Sequence, residues 1–157
     1  MYSVVTLDRM EWLSAGQQRI WRDYLAMASG LHTAMHRQLQ QDCELSLSDY
    51  DVLVALSERG TLRINELGEL IGWEQSRLSH QLRRMRGRGL LEREGDGDDR
   101  RGATVTLTDA GLAALQTAAP GHVDLVRSTV FDGLSEEQQK AFGAAIEAIL
   151  GRLPKTG

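Results

Sequence analysis

The chain has 157 residues, enough for one domain with a sizeable core and cramped for two. Its 41% hydrophobic and 25% charged residues exclude disorder and a membrane class, and two prolines suit a largely helical chain. A net charge of -4 weighs at first sight against a nucleic-acid partner, because phosphate binding is driven by Lys and Arg.

Distribution overrides that total. Residues 77–101 carry eight Arg against five Asp plus Glu, a balance of +3, which leaves 10 basic against 17 acidic side chains elsewhere, or -7. No run reaches about 18 apolar residues, and the opening MYSVVTLDRMEW lacks the pattern of a signal peptide, so a cytoplasmic protein is expected. One cysteine, Cys43, allows neither an internal disulfide nor a multi-cysteine zinc site.

In chain order, the first predicted element is a long helix from about Met10 to Asp42, with Ile20, Tyr24, Met27, Leu31, Met35 and Leu39 recurring every three or four residues. At 1.5 Å per residue it would span roughly 50 Å, more than a compact domain needs, so part of it is expected to pack against another chain. A second helix follows Leu47, capped by Ser48, carrying Tyr50, Leu53, Val54 and Leu56, and stopping at Arg59-Gly60. Thr61–Arg63 reads as a connector, and Ile64–Ile71 as a short helix with Leu67, Leu70 and Ile71 inward, broken by Gly72-Trp73.

A further helix starts near Glu74, with Leu78, Leu82 and Met85 on its inner face and Ser76, His80, Arg83 and Arg84 on the opposite one. Two helices joined by so short a turn predict a helix-turn-helix. Leu90–Glu94 and Ala103–Leu107 read as strands of a hairpin whose tip is residues 95–102. Thr108 caps a helix running to about Phe131 with a kink or break at Pro120-Gly121, and Ser135-Glu136-Glu137-Gln138 is a capping box opening a last helix with Phe142, Ile146, Ile149, Leu150 and Leu153 on one stripe.

An α-helix fits the DNA major groove, and one held by a preceding helix offers its outer side chains to bases and phosphates. Arg77, Arg83, Arg84, Arg86 and Arg88 suit that task, because Arg grips phosphate or guanine bidentately, while Gln75, Ser76, Ser79 and His80 can donate or accept at base edges. Arg101 on the hairpin tip, oriented by Asp99 and next to Arg100, is the candidate for a minor-groove contact. The bland reading, a solvated basic face, gives way because the basic helix, the helix-turn-helix and the hairpin coincide.

At these residues the sequence resembles the multiple-antibiotic-resistance regulator (MarR) family of bacterial winged-helix proteins, over nearly the whole chain. The carriers are Leu47-Ser48-Asp49-Tyr50-Asp51-Val52-Leu53, Ser79-His80-Gln81-Leu82 with Arg84-Met85, Gly89-Leu90-Leu91, and Asp99-Arg100-Arg101-Gly102 through Leu107-Thr108. The resemblance implies a mainly α, winged-helix (α+β) fold of six helices with a two- to three-stranded β-wing, in one unit. Residues 10–45 and 109–155 would form the helical dimerisation region of an intertwined homodimer, and residues 47–108 the DNA-binding lobe. It implies a regulator, a repressor in the first instance, on a pseudo-palindromic operator, with no cofactor. One departure is Asp98, where many relatives carry an Arg, which puts an acid near the phosphates.

The resemblance also implies a small, anionic or aromatic effector that lowers DNA affinity. Trp12, Trp21, Arg22, Tyr24, His32 and His36 lie along the first helix, and Trp21, Arg22, Tyr24, His32 and Asp51 are the candidate ligand-binding residues, against the plainer reading of core or dimer residues. Asp51 is similar in position to an acid of the urate-responsive branch, but Gln81 replaces an Arg which that branch uses, so a carboxylate or phenolic ligand is equally compatible. Cys43 stands beside Asp42 and Glu44, which disfavour a thiolate.

No nucleophile with a base, metal cluster or phosphate loop supports an enzyme. His32 and His36 share metal-ligand spacing without a further ligand. The remaining alternative is a helical, dimeric interaction protein that does not bind DNA.

Overall fold

The computed structural model describes residues 13–95 and 102–154. Helix α1 spans Ala15–Cys43. By its internal contacts the chain divides between Ala34 and Met35. The N-terminal part is the first stretch of α1, with Ile20 71% and Trp21 52% exposed.

Within residues 35–154, the end of α1 contributes Leu39, which is fully buried. Helix α2, Leu47–Arg59, is capped by Ser46, two residues earlier than the Ser48 expected from sequence. Ser46 Oγ accepts from Asp49 N at 3.0 Å and Asp49 Oδ2 accepts from Ser46 N at 2.9 Å. That reciprocal capping box satisfies two donors that a cap at Ser48 would leave open.

The segment 61–63, expected to be a connector, contains a third strand. β1, Leu62–Arg63, pairs antiparallel with β3, Thr104–Leu107, which also pairs with β2, Leu91–Glu94, giving the order β1-β3-β2. The register opposes Leu91 to Leu107, Arg93 to Val105 and Leu62 to Val105, so these side chains share one face, and Leu91 and Val105 are buried in the core.

Helix α3, Ile64–Ile71, and helix α4, Gln75–Gly87, pack with α2 around Val52, Leu53, Leu56, Leu67, Leu78 and Met85. Leu67 is buried as expected, but Leu70 is 46% exposed, and Ile64 and Gly68 take the inner positions instead. The correction is rotational: Ile64, Leu67 and Gly68 lie three or four apart, and Leu70 falls off that stripe.

Helix α5 covers Asp109–Val126, with Thr108 as its cap. Thr108 Oγ1 accepts from Gly111 N at 3.0 Å and donates to the Gly89 carbonyl at 2.6 Å, tying the start of α5 to the turn after α4. Of the kink or break expected at Pro120-Gly121, the break does not occur. The helix runs through it, and Pro120 and Gln116, the residue whose carbonyl loses its i+4 donor there, are both exposed. The irregularity comes later, as a π-helical turn at Arg127–Phe131. Helix α6, Glu136–Leu150, starts at Ser135 with the expected capping box and buries no residue.

Candidate nucleic-acid interface

The turn between α3 and α4 is made by Gly72, whose φ of 68° and ψ of 34° are left-handed, with Trp73 N donating to the Gly68 carbonyl at 3.0 Å. From there α4 is locked by its inner face, where Leu78 and Met85 are fully buried and Leu82 is nearly so. The amphipathic pattern then dictates what faces out. Ser76, Arg77, His80, Arg83, Arg84 and Arg86 are exposed, Gln75 and Ser79 half-buried.

Individual positions differ. Arg77 lays its guanidinium over the Trp73 ring, 3.9 Å from the centroid, which holds its charge at the start of α4. Gln75 turns back over Gly68 of α3. Arg84 Nη2 donates to Gln81 Oε1 at 2.6 Å. Arg83 and Arg86, with Ser79, Leu82, Leu91 and Arg93, line a cleft of about 90 Å³ between α4 and the sheet. Among the described residues no carboxylate pairs with Arg77, Arg83, Arg84 or Arg86. Arg84 and Arg86 also sit in the last turn of α4, where cations complement the helix dipole.

Arg88 does not belong with them. Its Nη1 is 2.8 Å from Asp49 Oδ2 and its Nη2 donates to the Glu44 carbonyl at 3.0 Å, so it clamps the α1–α2 junction to the end of α4. Asp49, 3% exposed, also accepts from Gln81 Nε2 at 2.5 Å. This network joins residues 32 and 39 apart in sequence, and the local signal that could have pointed to Asp49 is the Ser46-x-x-Asp49 spacing of a capping box, which the expected cap at Ser48 passed over. The wing candidates Asp98, Asp99, Arg100 and Arg101, and Trp12 on the N-terminal side, lie outside the described residues.

Of the candidate ligand residues, Trp21 and Tyr24 stack with ring centroids 5.3 Å apart, and Arg22 donates to the Gln18 carbonyl at 3.3 Å. His32 is exposed on the same N-terminal part of α1. Asp51, on α2, borders an open cleft with Glu58, Val54 and Ile71. Burial pushes the Cys43 thiol up, Asp42 adds to this more weakly, and Sγ donates to the Leu39 carbonyl at 3.1 Å, so burial outranks the neighbouring acids invoked from sequence. Among the described residues there is no group of three or more potential metal ligands. No described helix is long and apolar enough to cross a membrane.

Among the described residues, six α-helices, a three-stranded antiparallel sheet and an arginine-bearing second helix of the helix-turn-helix define a winged helix-turn-helix protein. The MarR family model matches residues 44–102. The chain is 41% identical to Sco3205, a MarR family transcriptional regulator from Streptomyces coelicolor solved in complex with DNA, covering 91% of this chain and 95% of that one with a TM-score of 0.84. It is 35% identical to AbsC, another MarR family regulator of Streptomyces coelicolor, covering 90% and 97% with a TM-score of 0.83. An uncharacterized HTH-type transcriptional regulator of Bacillus cereus is 30% identical over 106 residues, 68% of this chain and 70% of the relative. The chain belongs to the MarR family of transcriptional regulators.

Proposed function

We propose that this protein is a sequence-specific, duplex-DNA-binding transcriptional regulator, acting in the cytoplasm as a homodimer and not as an enzyme. The observation that carries the reading is the outer face of α4, where Arg77, Arg83, Arg84 and Arg86 stand exposed with no carboxylate partner among the described residues. Desolvated pairing would neutralise such charges internally; leaving them open suits a phosphate backbone. Sco3205, similar over nearly its whole length, was solved with DNA. Arg101 of the wing is proposed as a second, minor-groove contact.

Dimerisation is supported by two apolar faces. Ile20, Trp21, Tyr24, Leu25 and Met27 of α1, and Ile146, Ile149 and Leu150 of α6, are large and exposed, and clustered exposed apolar side chains of this kind suit a protein–protein contact. Residues 10–45 and 109–155 are proposed as the dimerisation region and 47–108 as the DNA-binding lobe, with two α4 helices meeting major grooves one duplex turn, about 34 Å, apart. Repression would be relieved by a small anionic or aromatic effector. Its support is the Trp21–Tyr24 stack with Arg22 alongside, and the Asp51 cleft.

The test is binding to the intergenic DNA beside its own gene against a scrambled duplex, with Arg84→Ala and Arg101→Ala. Preference for the intergenic duplex, weakened in both variants, is expected. Equal affinity for the two duplexes would return the protein to the class of helical interaction partners. Compounds that raise the melting temperature should also release DNA, and a set that never does so defeats the effector part alone.

A further inference from the structure

Gln81 lies on the recognition helix, yet it faces inward and is 4% exposed, a rare place for an amide. Its two ends do different things. Nε2 donates to Asp49 Oδ1, and Oε1 accepts from Arg84 Nη2 at 2.6 Å. Asp49 is acceptor-only as a carboxylate and is itself fixed, by Ser46 N at 2.9 Å and Arg88 Nη1 at 2.8 Å. It therefore dictates which end of the Gln81 amide points out: the NH2 group must face the carboxylate, and the carbonyl is left for Arg84. Among the described residues, the guanidinium groups of Arg83 and Arg86 have no such tether.

From this we propose, resting on the DNA-binding reading above, that Gln81 is a positioning residue that sets operator specificity by pre-orienting Arg84. Arginine has a long, rotamer-rich side chain, and bidentate pairing with a base edge requires its planar fork in one orientation. Attraction to phosphate requires only the charge. A tether on Arg84 thus acts on discrimination more than on affinity for DNA in general. The anchor is deep in the fold, because Asp49 belongs to the capping box of α2, so the orientation of Arg84 is set by the scaffold.

The experiment uses the full chain and a duplex selected by it from a randomised pool, against a scrambled duplex of the same composition. Gln81→Met keeps side-chain volume and removes both hydrogen bonds. Its affinity for the selected duplex is expected to fall about tenfold, the order of one bidentate base contact. Affinity for the scrambled duplex should change less than about twofold, and the salt slope should stay as in the wild type because no charge is lost. Arg84→Ala, by contrast, should weaken both duplexes and lower the salt slope by about 1. In the Arg84→Ala background, Gln81→Met should have no further effect. Gln81→Asn, polar but one methylene too short to reach both partners, should repeat the pattern should the Met variant not fold.

Wild-type discrimination in both Gln81 variants, equal losses on both duplexes, or losses that add to that of Arg84→Ala would each overturn the positioning role while leaving DNA binding intact. A wild-type protein that enriches no duplex overturns the DNA reading, and the positioning role with it.

Discussion

Asp49→Ala isolates the buried carboxylate that holds α1's end, α2 and α4 together. The substitution removes the acceptor for Ser46 N, the partner of Gln81 Nε2 and the counter-charge of Arg88. Loss of the cap contributes about 1 kcal/mol. The Gln81 amide, 4% exposed, is left without its acceptor, which costs about 1–3 kcal/mol. The Arg88 side chain is 44% exposed, so water takes over its charge and the ion pair itself adds only about 0.5 kcal/mol. The expected loss is near 3 kcal/mol, a fall in melting temperature of about 6–12 °C for a chain of this size. Thermal unfolding by circular dichroism, at one fixed protein concentration, measures it against Ser46→Ala, which removes only the other half of the capping box and should cost about 1 kcal/mol. Equal losses in the two variants would refute the reasoning, since Asp49 would then contribute nothing beyond its cap.

Gly111→Ala should be severely destabilising, because a Cβ there collides with the Leu90 carbonyl, a backbone atom that cannot move without shifting the turn after α4. Gly121→Ala, whose Cβ meets the flexible side chains of Asp42 and Gln38, should melt within a few degrees of wild type, and the two melts compared give the answer. His122, whose ring lies tilted against Tyr50 with centroids 4.4 Å apart, has its pKa lowered by burial, so the unfolded chain takes up a proton first as pH falls through 6.5. Stability from this group is present above that pH and lost below it. Melts at about pH 7.5 and about pH 5.5 should show a drop in the wild type that is smaller in His122→Phe, and equal drops would remove His122 from the account. Ile149→Asp, on the exposed stripe of α6, should shift light-scattering mass from dimer to monomer. A dimer of unchanged affinity would take α6 out of the interface.

Local and periodic features were legible in the residues. The inner stripe Leu78, Leu82 and Met85, the glycine stops at Gly60 and Gly72, and the caps at Thr108 and Ser135 depend on neighbours within a turn or two of helix, and all stand in the structure. So did the outward placement of Arg83 and Arg84, because burying one face of a helix exposes the other. Strand β1 did not, since two residues become a strand only when β3 arrives beside them.

Arg77, Arg83, Arg84, Arg86 and Arg88 look alike along the chain, and composition alone counts them as one basic run. Packing separates them: Arg77 rests on Trp73, Arg84 is steered by Gln81, and Arg88 turns inward to a carboxylate 39 positions earlier. Periodicity settles which side of a helix meets water, because that requires only the pitch of the helix. Which long, flexible side chain is tethered, and to what, depends on groups brought together from distant parts of the chain, and no local rule carries that information.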